Sequence, residues 1–170
     1  MGCPERHIFP DFLQNVRSPV PRDLIGFTVL TLTVWWTRKL GAASIVGLIA
    51  TVINFIFNPA ATQFLGFTIA SIVFDALSWI IRYNNAFKKS TYTFTSMTVI
   101  STLSAAVAGF IIGTFFMAGP ALAKWGGVLG WAALHAVGGV IGGVIGVILV
   151  TALIARGIQT QMIKPSQIGK

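Results

Sequence analysis

The chain has 170 residues, 55% of them apolar and only 9% charged, with a net charge of +8. A soluble domain carries about a quarter charged side chains, so a surface made from this composition is not one that faces water. The 12 basic residues sit at the ends of apolar runs rather than in a patch, which fits lipid headgroups and sets aside a nucleic-acid partner.

Residues 1–23 read as an extramembrane segment. Glu5, Asp11, Asp23 and several prolines interrupt it, so it lacks the continuous apolar core of a signal peptide. His7 to Val16 is a mixed stretch suited to the membrane surface. Cys3 is the single cysteine, which excludes an internal disulfide. Met1, Cys3 and His7 lie close in sequence but read as a flexible terminus rather than a metal site, and no metal or cofactor is expected.

From 24 to 156 the chain reads as an all-α, polytopic integral membrane bundle of about five transmembrane helices, because a helix needs about 20 apolar residues to cross a bilayer. The expected spans are Leu24 to about Thr37, which is short unless it begins near Val20, then Leu40 to Phe57, Thr62 to Ile81, about Phe94 to Ala118, and about Gly126 to Ala155. The last is long enough to be one tilted helix or a re-entrant start followed by a helix. Arg38-Lys39, Asn58-Pro59 and Gly119-Pro120 punctuate the connections. Arg82 to Thr93, with Asn84, Asn85, Lys88 and Lys89, reads as a solvated loop, and residues 157–170 as a cytoplasmic tail.

Counting basic residues near the span ends predicts an outside N-terminus and a cytoplasmic C-terminus in the cell membrane. Arg38, Lys39, Arg82, Lys88, Lys89, Arg156, Lys164 and Lys170 then lie inside, against Arg6, Arg17, Arg22 and Lys124 outside. Trp35, Trp36, Trp79, Tyr83 and Tyr92 form an inner aromatic belt, with Trp125 and Trp131 near the outer face.

Glycine spacing is the strongest pattern. Gly138, Gly142 and Gly146 recur every fourth residue beside Gly139 and Gly143, and such a face lets another backbone approach closely. Ser101, Ala105, Gly109 and Gly113 make a matching stripe on the fourth span, and Ala43, Gly47 and Thr51 on the second. The spacing fits packing within one bundle or a face for another membrane subunit.

Asp75 is the only acid within these expected spans. It fits a proton, cation or binding contact, or else a carboxylate paired with Arg82 or Arg38 or held neutral by burial. His135 is the only histidine within a span. It fits either a hydrogen bond to a neighbouring helix or, with Asn54, Trp131 and Thr114 at similar depth, the lining of an outward-facing solute pocket. Paired carboxylates, a GxSxG turn, a phosphate-binding loop and histidines at metal-ligand spacing are all missing, so the chain reads as a non-enzyme.

The runs GAASIVGLIATVINF (Gly41 to Phe55), GFTIASIVFDALSW (Gly66 to Trp79) and HAVGGVIGGVIGVILVTALIARGI (His135 to Ile158) resemble substrate-binding S components of energy-coupling-factor transporters. The resemblance implies capture of a vitamin-type micronutrient at the outer face and delivery through a transmembrane scaffold driven by cytoplasmic ATPases. Family members usually have six spans, and their first helix carries an alanine-spaced docking motif that Leu24 to Trp36 lacks. The alternative is a structural accessory subunit of a respiratory or monooxygenase-type membrane complex.

Overall fold

The computed structural model describes residues 20–83, 87 and 90–158. The helices are α1 (Val20–Thr37), α2 (Ala42–Phe57), α3 (Leu65–Ile80, entered through a 3-10 turn at Thr62–Phe64), α4 (Ser90–Phe115), α5 (Gly119–Ala123) and α6 (Gly127–Ala155). Three stretches are long and apolar enough to cross a bilayer: Thr62–Ile80, Thr91–Phe115 and Gly127–Ala155. The expectations for residues 1–19, for Asn84, Asn85, Lys88 and Lys89, and for residues 159–170 fall outside the described residues.

Several boundaries differ from the sequence reading. Helix α1 already includes residues 20–23, so Asp23 lies within it and is buried. Asp75 is therefore not the only acid within the bundle. Pro21 and Asp23 are ordinary first-turn residues, since a proline there sacrifices no intrahelical bond and an acid faces the positive end of the helix dipole. Helix α4 begins at Ser90, which shortens the expected loop. The last apolar run is one helix of 29 residues, roughly 43 Å long at 1.5 Å per residue.

Phe27, Leu30, Phe74, Met97 and Ile100 form a buried core, and around it large apolar side chains also cover the outside. Helix α2 turns Ile45, Leu48, Ile49, Val52, Ile53 and Ile56 outward and buries Ala43, Gly47 and Thr51. On α4, Val99, Leu103, Val107 and Phe110 are exposed while Ser101, Ser104, Ala105 and Ala108 are buried. Small residues inside let backbones approach, and large apolar ones outside suit hydrocarbon. The hydroxyls on α1 are compatible with that surrounding because each donates back to its own helix: Thr28 to Leu24 O, Thr31 to Phe27 O, Thr33 to Val29 O and Thr37 to Thr33 O.

Helix α6 is the axis of the packing. Its glycines 138, 142 and 146 face α1, and Gly139 and Gly143 face Ala105, Ser101 and Thr98 on α4. Contacts rising together along α1 and α6 show that these two run parallel, whereas α4 runs antiparallel to α6. Helices α2 and α3 form an antiparallel hairpin tied by Thr68 Oγ1 donating to Thr51 Oγ1 at 2.7 Å. The N-termini of α1, α3 and α6 therefore point to the same end, with Val20 beside Gly138 about three turns inside the start of α6, and their C-termini point to the other, beside Arg38.

Candidate functional site

The site begins with the seating of α1 on α6. A Cβ on Gly142 would stand 2.9 Å from Leu24 O and 3.0 Å from Asp23 O, and one on Gly138 would stand 2.7 Å from the Asp23 Cβ. Only bare backbone allows that approach. Thr28 Oγ1 reinforces it, sharing its donor between Leu24 O at 2.7 Å and Gly142 O at 3.1 Å. The consequence is that Asp23 is pressed into the bundle one turn from His135.

Asp23 Oδ2 and His135 Nδ1 are 2.6 Å apart, and both side chains are buried. The contact is short enough to fix the imidazole against α1. On the far side of the imidazole, Gly109 of α4 leaves the room that the ring occupies: a Cβ there would meet His135 Cβ at 2.8 Å and Cδ2 at 2.9 Å. Trp131, one turn earlier on α6, meets His135 edge-to-face with ring centroids 5.3 Å apart and is itself abutted by Trp125 at 5.7 Å. Gly113 faces Val128 one turn further along α4.

Beside this cluster lies a cavity of about 350 Å³. Helix α1 contributes Arg22, Asp23, Ile25, Gly26 and Val29, and α2 contributes Val46 and Ala50 from across the gap. Gln63, Phe64 and Phe67 close it near the start of α3, and Ala108, Ile112, Trp131 and His135 form its back. The indole Nε1 of Trp131 and the imidazole Nε2 of His135 are buried and have no hydrogen-bond partner within the protein. An unsatisfied buried donor or acceptor costs about 1–3 kcal/mol, so two of them beside a cavity are polar groups suited to a ligand.

Asn54 and Thr114 are placed elsewhere. Thr114 is exposed and donates to Phe110 O of its own helix at 2.8 Å, and neither it nor Asn54 lines the cavity. Asn54 is half-buried near the end of α2, its Nδ2 unpartnered and its carbonyl accepting from Asn58 N–H at 2.7 Å. The two residues that sequence reasoning missed are Asp23 and Arg22. The signal for them was the helix start at Val20-Pro21, which moves both from the terminal segment into α1.

Asp75 has a different surrounding at the opposite end. Its Oδ2 accepts from Ser44 N at 3.1 Å and Ser44 Oγ at 3.0 Å, and its Oδ1 accepts from the Tyr83 hydroxyl at 2.8 Å. Gly41, which precedes α2, has no side chain to cap that helix and holds φ at 91°. Asp75 supplies the missing N-terminal acceptor from α3. Burial, with Asp75 beside it, pushes the Tyr83 phenol well above its ordinary value.

Among the described residues no three His, Cys, Asp or Glu side chains come together as a metal site would require. The arrangement at His135 offers a held imidazole, an indole N–H and an apolar chamber, a set suited to binding. No family model, curated protein or solved structure matches the chain.

Proposed function

We propose that the protein is a multi-pass membrane protein that captures a small solute in the chamber beside His135 and performs no chemistry on it, in the manner of a transporter's solute-binding component. The observation that carries this reading is the 350 Å³ cavity flanked by the unpartnered Trp131 Nε1 and His135 Nε2. The size is within the range of small-molecule sites, and the mixture of apolar wall and few polar groups is theirs as well. The resemblance to S components of energy-coupling-factor transporters supports the same reading, with a micronutrient as cargo and scaffold and ATPase subunits as partners.

In this reading all five long helices cross the bilayer, N-terminus outside and C-terminus in the cytoplasm. The end bearing Arg38, Lys39, Arg82 and Arg156 faces the cytoplasm, and the end bearing Arg22 and Lys124 faces out. The cavity then belongs to the outer half. A thermal-shift screen of small solutes on the purified protein tests the site: a stabilising solute is expected, with binding weakened at least about tenfold in His135→Ala and in Trp131→Phe, which removes the N–H donor and shrinks the ring while keeping an aromatic face. Binding untouched by both substitutions overturns the site. Labelling from outside of a cysteine placed at Lys39 overturns the orientation.

An accessory-subunit reading is favoured by α2. Its 16 residues rise about 24 Å, short of the roughly 30 Å hydrocarbon core, and its exposed face is one that a neighbouring subunit would cover. Chains co-purifying in the native complex separate the two: ATPases support transport, and redox or metal-bearing subunits support the accessory role.

A further inference from the structure

We infer that the ligand of this cavity is a single-chain amphiphile with an anionic head, a medium-chain carboxylate in chemical class, which reaches the site sideways from the outer leaflet. This rests on the solute-binding reading of the same cavity and adds the class of molecule and its route.

Three observations point there. The first is the sorting of polarity along the chamber. Arg22, Gln63, Trp131 and the Asp23–His135 pair lie toward the α5 end, with Phe64 and Ile112 beside them, while Val29, Val46 and Ala50 alone line the part nearer the other end. A lipid leaflet has the same order, with polar heads at the interface and chains within.

The second is the opening. Ile25 and Val29 line the cavity and are 64% and 42% exposed on the outward face of α1. The chamber therefore communicates with the apolar surface of the bundle, in the gap between α1 and α2. A strongly hydrated solute has no reason to use that route, and a membrane-partitioned chain does.

The third is charge. Arg22 lines the polar end of the cavity, exposed and close enough to Asp23 to interact with it, and the planar fork of its guanidinium also matches the carboxylate head of a ligand. The buried indole N–H of Trp131 supplies a second donor at the same end. At 350 Å³ the space lies near the lower bound of ligand pockets and suits one short chain rather than the two of a phospholipid.

The test measures saturable binding of radiolabelled decanoate and decanol to the full-length protein in nanodiscs, with Arg22→Gln, Arg22→Lys and Val29→Trp compared after a size-exclusion check of folding. Decanoate is expected to bind at least about tenfold more tightly than decanol. Arg22→Gln should reduce decanoate to the level of decanol, and Arg22→Lys should keep most of the preference. Val29→Trp, which fills the chamber from the lipid side, should abolish binding of both probes. Equal binding of decanoate and decanol to the wild type, or indifference to Arg22→Gln, overturns the anionic head while leaving the pocket. Unchanged binding in Val29→Trp overturns the lateral route. If neither probe binds while the thermal-shift screen yields a water-soluble solute, the amphiphile class is wrong and the pocket stands; if both assays are empty, both readings fall.

Discussion

The two buried carboxylates of this bundle, Asp23 and Asp75, have opposite surroundings. Asp75 accepts three hydrogen bonds from Ser44 and Tyr83 and completes the start of α2. Asp23 has His135 as its close partner, 2.6 Å away, beside a cavity and two unpartnered nitrogens. A carboxylate whose lone pairs are met by fixed donors is a structural element. One with a single titratable neighbour beside a cavity marks the place proposed here for a solute.

The largest effect is expected from Gly142→Leu, which attacks the seat of Asp23. The substituted side chain begins within 3.0 Å of two backbone carbonyls of α1, so the whole helix must move away and the Asp23–His135 contact with it. Loss of most folded protein is expected, measured as monodisperse yield in detergent. Gly119→Leu, with nothing within 4 Å of its Cβ, should fold normally. Equal yields would show that α1 is not seated on α6 as described.

Next comes Asp75→Ala, which removes the acceptor of the half-buried Ser44 N–H and hydroxyl and leaves the Tyr83 hydroxyl only its longer contact to the backbone carbonyl of residue 75 at 3.3 Å. A loss of about 2 kcal/mol is expected, read as a fall in thermal unfolding temperature, with ligand affinity retained in the protein that remains folded. Asp23→Ala should cost less stability and more affinity. The opposite ranking would exchange the roles assigned to the two acids.

The smallest effect is expected at Tyr83. Because the folded state raises the phenol above its ordinary value, the stability it contributes is complete below the unfolded phenol's pKa, about 10, and is lost as pH rises beyond it. Tyr83→Phe should cost about 1 kcal/mol at neutral pH and flatten the alkaline limb of the stability profile. An unchanged limb would place the alkaline sensitivity elsewhere.

Some of this was decided by local chemistry and is legible in the chain. Long apolar runs broken by Asn58-Pro59 and Gly119-Pro120 specify helices and their ends, because backbone polar groups with no water must bond within their own segment. Four-residue spacing likewise places Gly138, Gly142 and Gly146 on one face, since the geometry of a helix is independent of what surrounds it. The start of α1 was harder to read, because Asp23 looks solvated until the glycines of α6 are known to receive it.

What only the tertiary structure decided is which distant residues meet. Spacing says that a small-residue face exists but not which helix fills it, and α1 fills it here only because Gly138 and Gly142 admit its backbone while Thr28 bonds to Gly142 O. That choice carries Asp23 to His135, 112 positions along the chain, and leaves Asn54 and Thr114 away from the cavity. Depth follows from position within a helix; facing follows from the rotation and neighbours of each helix, which are set by packing among all of them at once.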